Sequence, residues 1–394
     1  MERLQEMFAD VGAAVPEIWL PAPKVDDSKF AVIACDQFSA EPAYWETVKN
    51  EVGATPSSLH MMLPEAFLPQ TTDKTDQIHH TMEKYLLDGT LQSIGESLVY
   101  LHRKTSAGIR YGLVMALDLE QYDYHKGAKS LIRATEGTVE ERLPARIEIR
   151  RGAALEMPHI MVLIDDRKNR LMGMLEEELP KLPLLYDFEL QQGGGHLTGW
   201  AVAKEAELTR VAKVLAELKE EAEDGLLFAL GDGNHSFAAA KAYWEELKPT
   251  LSAQEQKHHP ARYALAEVVN LYDEGLSFEP IHRLLLHVNP QKVAQEIGFD
   301  PKYPLPLQEM QPLLDAWLAN HPQAELEYIH GAEECRALAN AAPDRLSITW
   351  PEFRRDTLFH DTIAHGALCR KSFSMGAARD KRYYLECRKL IPEE

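Results

Sequence analysis

Residues 226–248, LLFALGDGNHSFAAAKAYWEELK, constrain this chain more than any other stretch. Leu226 to Leu230 is an apolar run of strand length. Gly231, Asp232 and Gly233 break it. From Ser236 onward, Phe237, Ala240, Tyr243, Trp244 and Leu247 recur at spacings of three and four, which predicts a helix. The pattern is strand, tight loop, helix. Two glycines open backbone angles closed to other residues and let a ligand approach the main chain. The first amides of a helix have no partner within it, so its amino end can hold an anion. Asp232, Asn234, His235 and Ser236 add a carboxylate, an amide, an imidazole and a hydroxyl there. An ordinary turn with a Ser or Asn cap fits the same residues.

A second mouth of the same kind lies earlier. Phe30–Cys35, FAVIAC, reads as a buried strand, and Asp36, Gln37, Phe38 and Ser39 lead into a helix through Tyr44, Trp45 and Val48. Cys35 reads as a small core residue. Residues 54–72 read as loop and residues 73–88 as a helix stopped by Gly89. Residues 97–103 and 109–119 read as paired strands.

Residues 130–166 carry an unusual density of mixed charge. In RIEIR, Arg146, Glu148 and Arg150 alternate with Ile147 and Ile149, which predicts a strand with its charges on one face. Arg133, Glu136 and Arg146 are then expected to share a cleft with Asp232. The pattern fits either an arginine-lined pocket for phosphate or carboxylate or a solvated face of cross-strand pairs. HIMVLIDD (159–166) is an apolar strand ending in two carboxylates, Asp165 and Asp166, which fit a turn or a Mg²⁺ site. Residues 262–272 and 281–288 read as strands. Pro301, Pro304 and Pro306 then mark a linker or long loop. Beyond them come helices at 313–318, 333–341 and 358–368, and strands at 325–330 and 346–350. The expected division is a core domain over residues 1–284 and a smaller C-terminal α/β lobe over 285–394. Near the end, Arg370 and Lys371 enter a basic Ser/Gly loop suited to an anion.

The net charge of −20, from 42 basic and 62 acidic residues, argues against nucleic acid or an anionic membrane as partner, because both attract basic surfaces. A small anionic ligand in a local basic pocket stays open. No apolar run nears the ~18 residues of a membrane helix. MERLQEMFADVG lacks a signal-peptide layout, and a cytoplasmic protein is expected. The cysteines form no CxxC pair, so neither zinc nor a disulfide framework is indicated.

ACDQFSAEPAYW, RATEGTVEERLPARIEIRRGAALEMPHIMVLIDD, GDGNHSFAAAKAYWE, EPIHR and RKSFSMGAARDKRYYLE together resemble the bacterial and archaeal family called domain of unknown function 1015, over nearly the whole chain. The Asp-Gly-His/Asn-His signature of that family falls on Asp232, Gly233, Asn234 and His235. The element pattern predicts an α/β (mixed α+β) fold, and the resemblance implies that its core is ParB/sulfiredoxin-like. That superfamily also holds an archaeal free-serine kinase with a similar Asp-Gly-His-His loop at its nucleotide phosphates. It therefore implies a nucleotide- or phosphate-binding cleft. Here Asn234 replaces a His, and Ser236 stands where Arg is usual. Arg133, Arg146 or Lys371 is left to supply the charge.

The expected function is a small-molecule phosphotransferase. Gly231, Gly233, Asn234 and Ser236 would cradle the phosphates of a nucleotide such as ATP or ADP. Asp232 would hold Mg²⁺, and Arg133, Arg146, Arg370 and Lys371 would neutralise charge. Glu136 or His235 would accept the hydroxyl proton. The alternatives are a nucleotide- or metabolite-binding regulatory module and a metal-dependent hydrolase using Asp165, Asp166 and the histidines.

Overall fold

The computed structural model describes residues 2–67, 74–125, 127–157 and 159–392. Residues 68–72 of the expected loop lie outside these. Two compact units emerge. The first comprises residues 1–134, 138–276 and 377–394, and the second residues 135–137 and 277–376. The division thus falls near 277 rather than 285, and the last 18 residues, 377–394, return to the first unit. The proline cluster does not mark it. Residues 301–306 are a loop inside the second unit, between helices Pro290–Ile297 and Leu307–Ala319.

The first unit is built on one mixed sheet. Its strands run in the order Leu184–Leu190, Gly195–Val202, Leu98–Lys104, Ile109–Asp118, Tyr263–Asn270, Met161–Ile164, Phe228–Asp232, Ile132–Ala134, Tyr122–Asp123. Both faces are covered. Leu113, Met115 and Leu117 belong to one hydrophobic core, with Phe8, Val211, Leu215, Phe237 and Trp244. Val114 points the other way, into a core with Phe30, Trp45, Val99, Leu265 and Tyr383. A strand buried on both sides reads as a continuous apolar run, which is why LVMAL was legible as a strand.

RIEIR is not a strand. Leu143–Arg150 is a helix with Pro144 in its first turn, where the fixed φ of proline suits the geometry. Leu143 and Ile147, four apart, pack on Ala238 and Ala239. A two-residue alternation over five positions is also compatible with a short helix, and the Leu-Pro before it decides the case. FAVIAC shortens likewise, to a helix Asp27–Phe30 and a two-residue strand Val32–Ile33.

The second unit has its own small sheet. Phe278–Leu286 lies between Glu325–His330 and Arg345–Ile348, and its start pairs with Phe373–Met375. Leu285, Val293, Met310, Leu314, Leu346 and Ile348 form its core.

Candidate functional site

The strand Phe228–Asp232 ends the run of apolar residues, and the helix Asn234–Leu247 starts two residues later. Gly233 alone forms the junction, at φ +78°, in the left-handed region. The expected loop is thus shorter, and Asn234, His235 and Ser236 are the first turn of the helix. The N-cap residue, Gly233, has no side chain with which to cap this helix, and the amino end of a helix carries main-chain N–H groups and the positive end of its dipole. Gly233 has a different reason from the one expected. A Cβ there would lie 2.9 Å from Ile160 Cα, so the glycine makes room for the neighbouring strand rather than for a ligand.

Asp232 is not a bare carboxylate. Its Oδ1 accepts the Gly233 N–H at 3.0 Å, and its Oδ2 lies 3.1 Å from Lys381 Nζ. The ammonium stands where a bound cation would stand. Among the described residues no group of three or more His, Cys, Asp or Glu side chains is placed to hold a metal ion. The residues at Asp232 therefore do not fit the expected Mg²⁺ site.

The sheet brings further chemistry to this strand end. Met161 pairs with Asp232 in the antiparallel register, which sets His159 and Ile160 beside Gly233. His159 is buried, at 4% side-chain exposure, between two partners. Its Nε2 is 3.6 Å from Asp36 Oδ2, and its Nδ1 is 2.7 Å from Tyr384 Oη. Burial disfavours the imidazolium, but Asp36 and then Asp232 outweigh it, so the His159 pKa is raised. Burial likewise opposes ionisation of Asp36, yet His159, Gln37 and Lys381 hold its carboxyl well below the usual range. Tyr384 Oη also accepts the Cys35 N–H at 3.2 Å. Burial and then the Asp36 charge push the Cys35 thiol up to about 11, which makes it a poor nucleophile. Tyr384 and Lys381 arrive through the pairing of Tyr383–Tyr384 with Val32–Ile33.

The expected residues divide as follows. Arg146 is near this cluster. It pairs with Glu65, and its charge opposes protonation of His159. His235 Nε2 accepts the Val139 N–H at 3.3 Å, so that nitrogen is not free to take a substrate proton. Arg133 is at the wrong end of the strand. Its Nη1 pairs with Asp224 Oδ2 at 3.1 Å and its Nε donates to Ser130 O at 2.9 Å, and Asp224 precedes the strand that Asp232 ends. Asp166 is a turn group whose Oδ2 accepts the Leu171 N–H at 2.9 Å.

Glu136, Arg370 and Lys371 belong to the second unit. There Lys371 takes a left-handed φ of +57°, and Glu136 Oε1 accepts the Ser372 N–H at 3.1 Å. Burial raises the Glu136 pKa against the pull of Lys371 and the surrounding amides. The amides of the basic loop are thus turned toward the chain's own Glu136 carboxyl group. Arg283, fully buried, fixes the loop by donating to Arg370 O at 3.1 Å and Lys371 O at 2.9 Å.

Asp36, His159, Lys381 and Tyr384 were not singled out as site residues. Asp36 stood in the second strand–loop–helix mouth and His159 opened a predicted strand, but only the sheet pairing joins four positions so far apart in sequence.

The first unit is thus a mixed α/β fold with a charged, acid–base-capable cluster at the end of one strand and the start of one helix. A family model described as Protein of unknown function (DUF1015) matches residues 19–358, and the chain belongs to that family. No curated protein matches the sequence. Among solved structures it is similar to a free serine kinase variant in complex with ADP, at 11% identity and a TM-score of 0.39, covering 70% of this chain and 92% of that one. It is also similar to free serine kinase in complex with AMP, at 12% identity and a TM-score of 0.38 with the same coverage. A conserved hypothetical protein from Pyrococcus furiosus matches at 12% identity and a TM-score of 0.36, covering 70% of this chain and 95% of that one. Among the described residues no helix is long and apolar enough to cross a membrane.

Proposed function

We propose that this protein is an enzyme that binds a small phosphorylated ligand, such as ATP or ADP, at the amino end of the helix Asn234–Leu247 and passes its terminal phosphoryl group to a small acceptor. The observation that carries this reading is the meeting of a 14-residue helix with a glycine N-cap and the Lys381–Asp232 pair at 3.1 Å. Helix amides and an ammonium are complementary to phosphate oxygens. Asp232 fits as the group that holds Lys381 in place, which removes the difficulty of a carboxylate beside an anion. Charge neutralisation is assigned to Lys381 and Arg146, and no longer to Arg133.

Calorimetric titration of the intact protein with ADP, ATP and inorganic phosphate tests the reading. Lys381→Met keeps most of the side-chain volume and removes the charge. It is expected to weaken nucleotide binding by about 10–100-fold, the worth of a charge-assisted hydrogen bond. Equal affinity in wild type and a folded Lys381→Met protein would contradict it, as would an absence of binding by the wild type.

A further inference from the structure

Of the two residues expected to accept a proton, Glu136 belongs to the second unit and His235 Nε2 accepts the Val139 N–H. The cluster around His159 offers another acceptor. Asp36 keeps 27% of its side-chain surface, whereas its partner His159 keeps 4%. Asp36 is therefore the more open member of the pair. Gln37 Nε2 donates to its Oδ1 at 3.0 Å, and His159 lies against its Oδ2. His159 cannot turn away without losing the 2.7 Å contact with Tyr384. Through the register of Met161 with Asp232, this buried imidazole is tied to the strand end that leads into the helix Asn234–Leu247.

From this geometry we infer that Asp36 is the catalytic proton acceptor of the first unit, with His159 and Tyr384 as the residues that position it, and that the phosphoryl acceptor is a small hydroxyl compound. The inference rests on the phosphoryl-transfer reading above. The step balances without an oxidant or reductant. The acceptor hydroxyl donates its hydrogen bond to Asp36. Its oxygen forms a bond to the terminal phosphorus of a nucleoside di- or triphosphate. The bond from that phosphorus to the bridging oxygen breaks, and its electron pair leaves with the shortened nucleotide. The hydroxyl proton passes to Asp36 and then to solvent. A weakly basic carboxylate suffices, because a loose transition state at phosphorus demands little proton removal before the new bond forms.

The test uses the full chain, ATP and ADP labelled on the terminal phosphate, magnesium chloride, and a panel of small alcohols, sugars and hydroxylated amino acids. Asp36→Asn is expected to keep nucleotide affinity within about twofold and to lose phosphoryl transfer by at least about 100-fold, the lower range for a general base. His159→Gln, as a positioning change, is expected to lower kcat by roughly tenfold at unchanged KM. The ¹⁵N shifts of the wild-type imidazole are expected to change in Asp36→Asn. If Asp36→Asn does not fold, Asp36→Glu is expected to retain transfer at a reduced kcat with unchanged nucleotide affinity, and an unchanged kcat overturns the inference. Transfer by a folded Asp36→Asn protein at a rate near wild type overturns it too. Nucleotide binding by the wild type with no transfer to any acceptor overturns the inference and leaves the binding site standing. No nucleotide binding overturns both.

Discussion

Glu267→Gln is expected to destabilise the protein by about 3–5 kcal/mol, the usual effect of removing one partner from a buried ion pair. Glu267 is 1% exposed and lies between two guanidinium groups that are also buried. Arg110 Nε reaches its Oε1 at 3.1 Å and Arg382 Nη1 reaches its Oε2 at 2.8 Å. Arg382 continues to Glu386, which accepts a hydrogen bond from Tyr186. Gly112 makes the space for this carboxylate, since a Cβ there would meet Glu267 Oε1 at 2.5 Å. The amide would leave Arg110 its hydrogen bond to Asp380 O and Arg382 its pair with Glu386. The network also fixes Arg382, the neighbour of Lys381, and so bears on the site through the chain. Burial opposes ionisation of Glu267, but Arg110 and Arg382 outweigh it and lower its pKa. A lowered carboxyl pKa contributes stability above the unfolded value of about 4.3, and that stability is lost as pH falls through the folded value. Guanidinium unfolding should therefore show a smaller loss on acidification in Glu267→Gln than in wild type. A difference under about 1 kcal/mol at neutral pH would mean that the pair is not maintained in solution.

Gly233→Val is expected to destabilise the protein by about 2–5 kcal/mol, from a left-handed backbone and an overpacked contact together. Both terms are specific to this position. A β-branched residue at φ +78° is strained whatever surrounds it. The new Cβ would also lie 2.9 Å from Ile160 Cα, and that backbone cannot yield easily because Ile160 O accepts the Glu267 N–H at 2.9 Å. Denaturant unfolding that places Gly233→Val within about 1 kcal/mol of wild type would contradict this packing. The sequence alone invites another reading, in which the valine blocks a ligand. A change this disruptive reports on the fold, so ligand questions belong to Lys381 and Asp36.

How far the sequence carried the argument depends on the range of the interactions involved. The strands 109–118, 228–232 and 263–270 were legible because burial writes an apolar run into the local chain. The strand–loop–helix at Asp232 was legible because Gly-Asp-Gly breaks one period and starts another. RIEIR failed because five residues can satisfy two periods, and the deciding partners, Ala238 and Ala239, lie about ninety positions away. Arg133 and Glu136 failed for a related reason. Charge density shows that ion pairs will form, and says nothing about which carboxylate or amide each group will meet. The Asp36–His159–Tyr384 chain spans 36, 159 and 384 and exists only through sheet pairing. The strand Phe278–Leu286 pairs within the second unit's sheet, which sets the division near 277, and residues 377–394 belong to the first unit, a return that no local composition records.

The most direct measurement is an amide-resolved NMR titration of the intact protein with ADP. An oxyanion site at the start of the helix Asn234–Leu247 predicts saturable shifts of the Asn234 and Ser236 amides, with a midpoint equal to the calorimetric affinity and lost or weakened in Lys381→Met. Saturable shifts confined to Lys371, Ser372 and Phe373, or the absence of any saturable shift at Asn234 and Ser236, would contradict it.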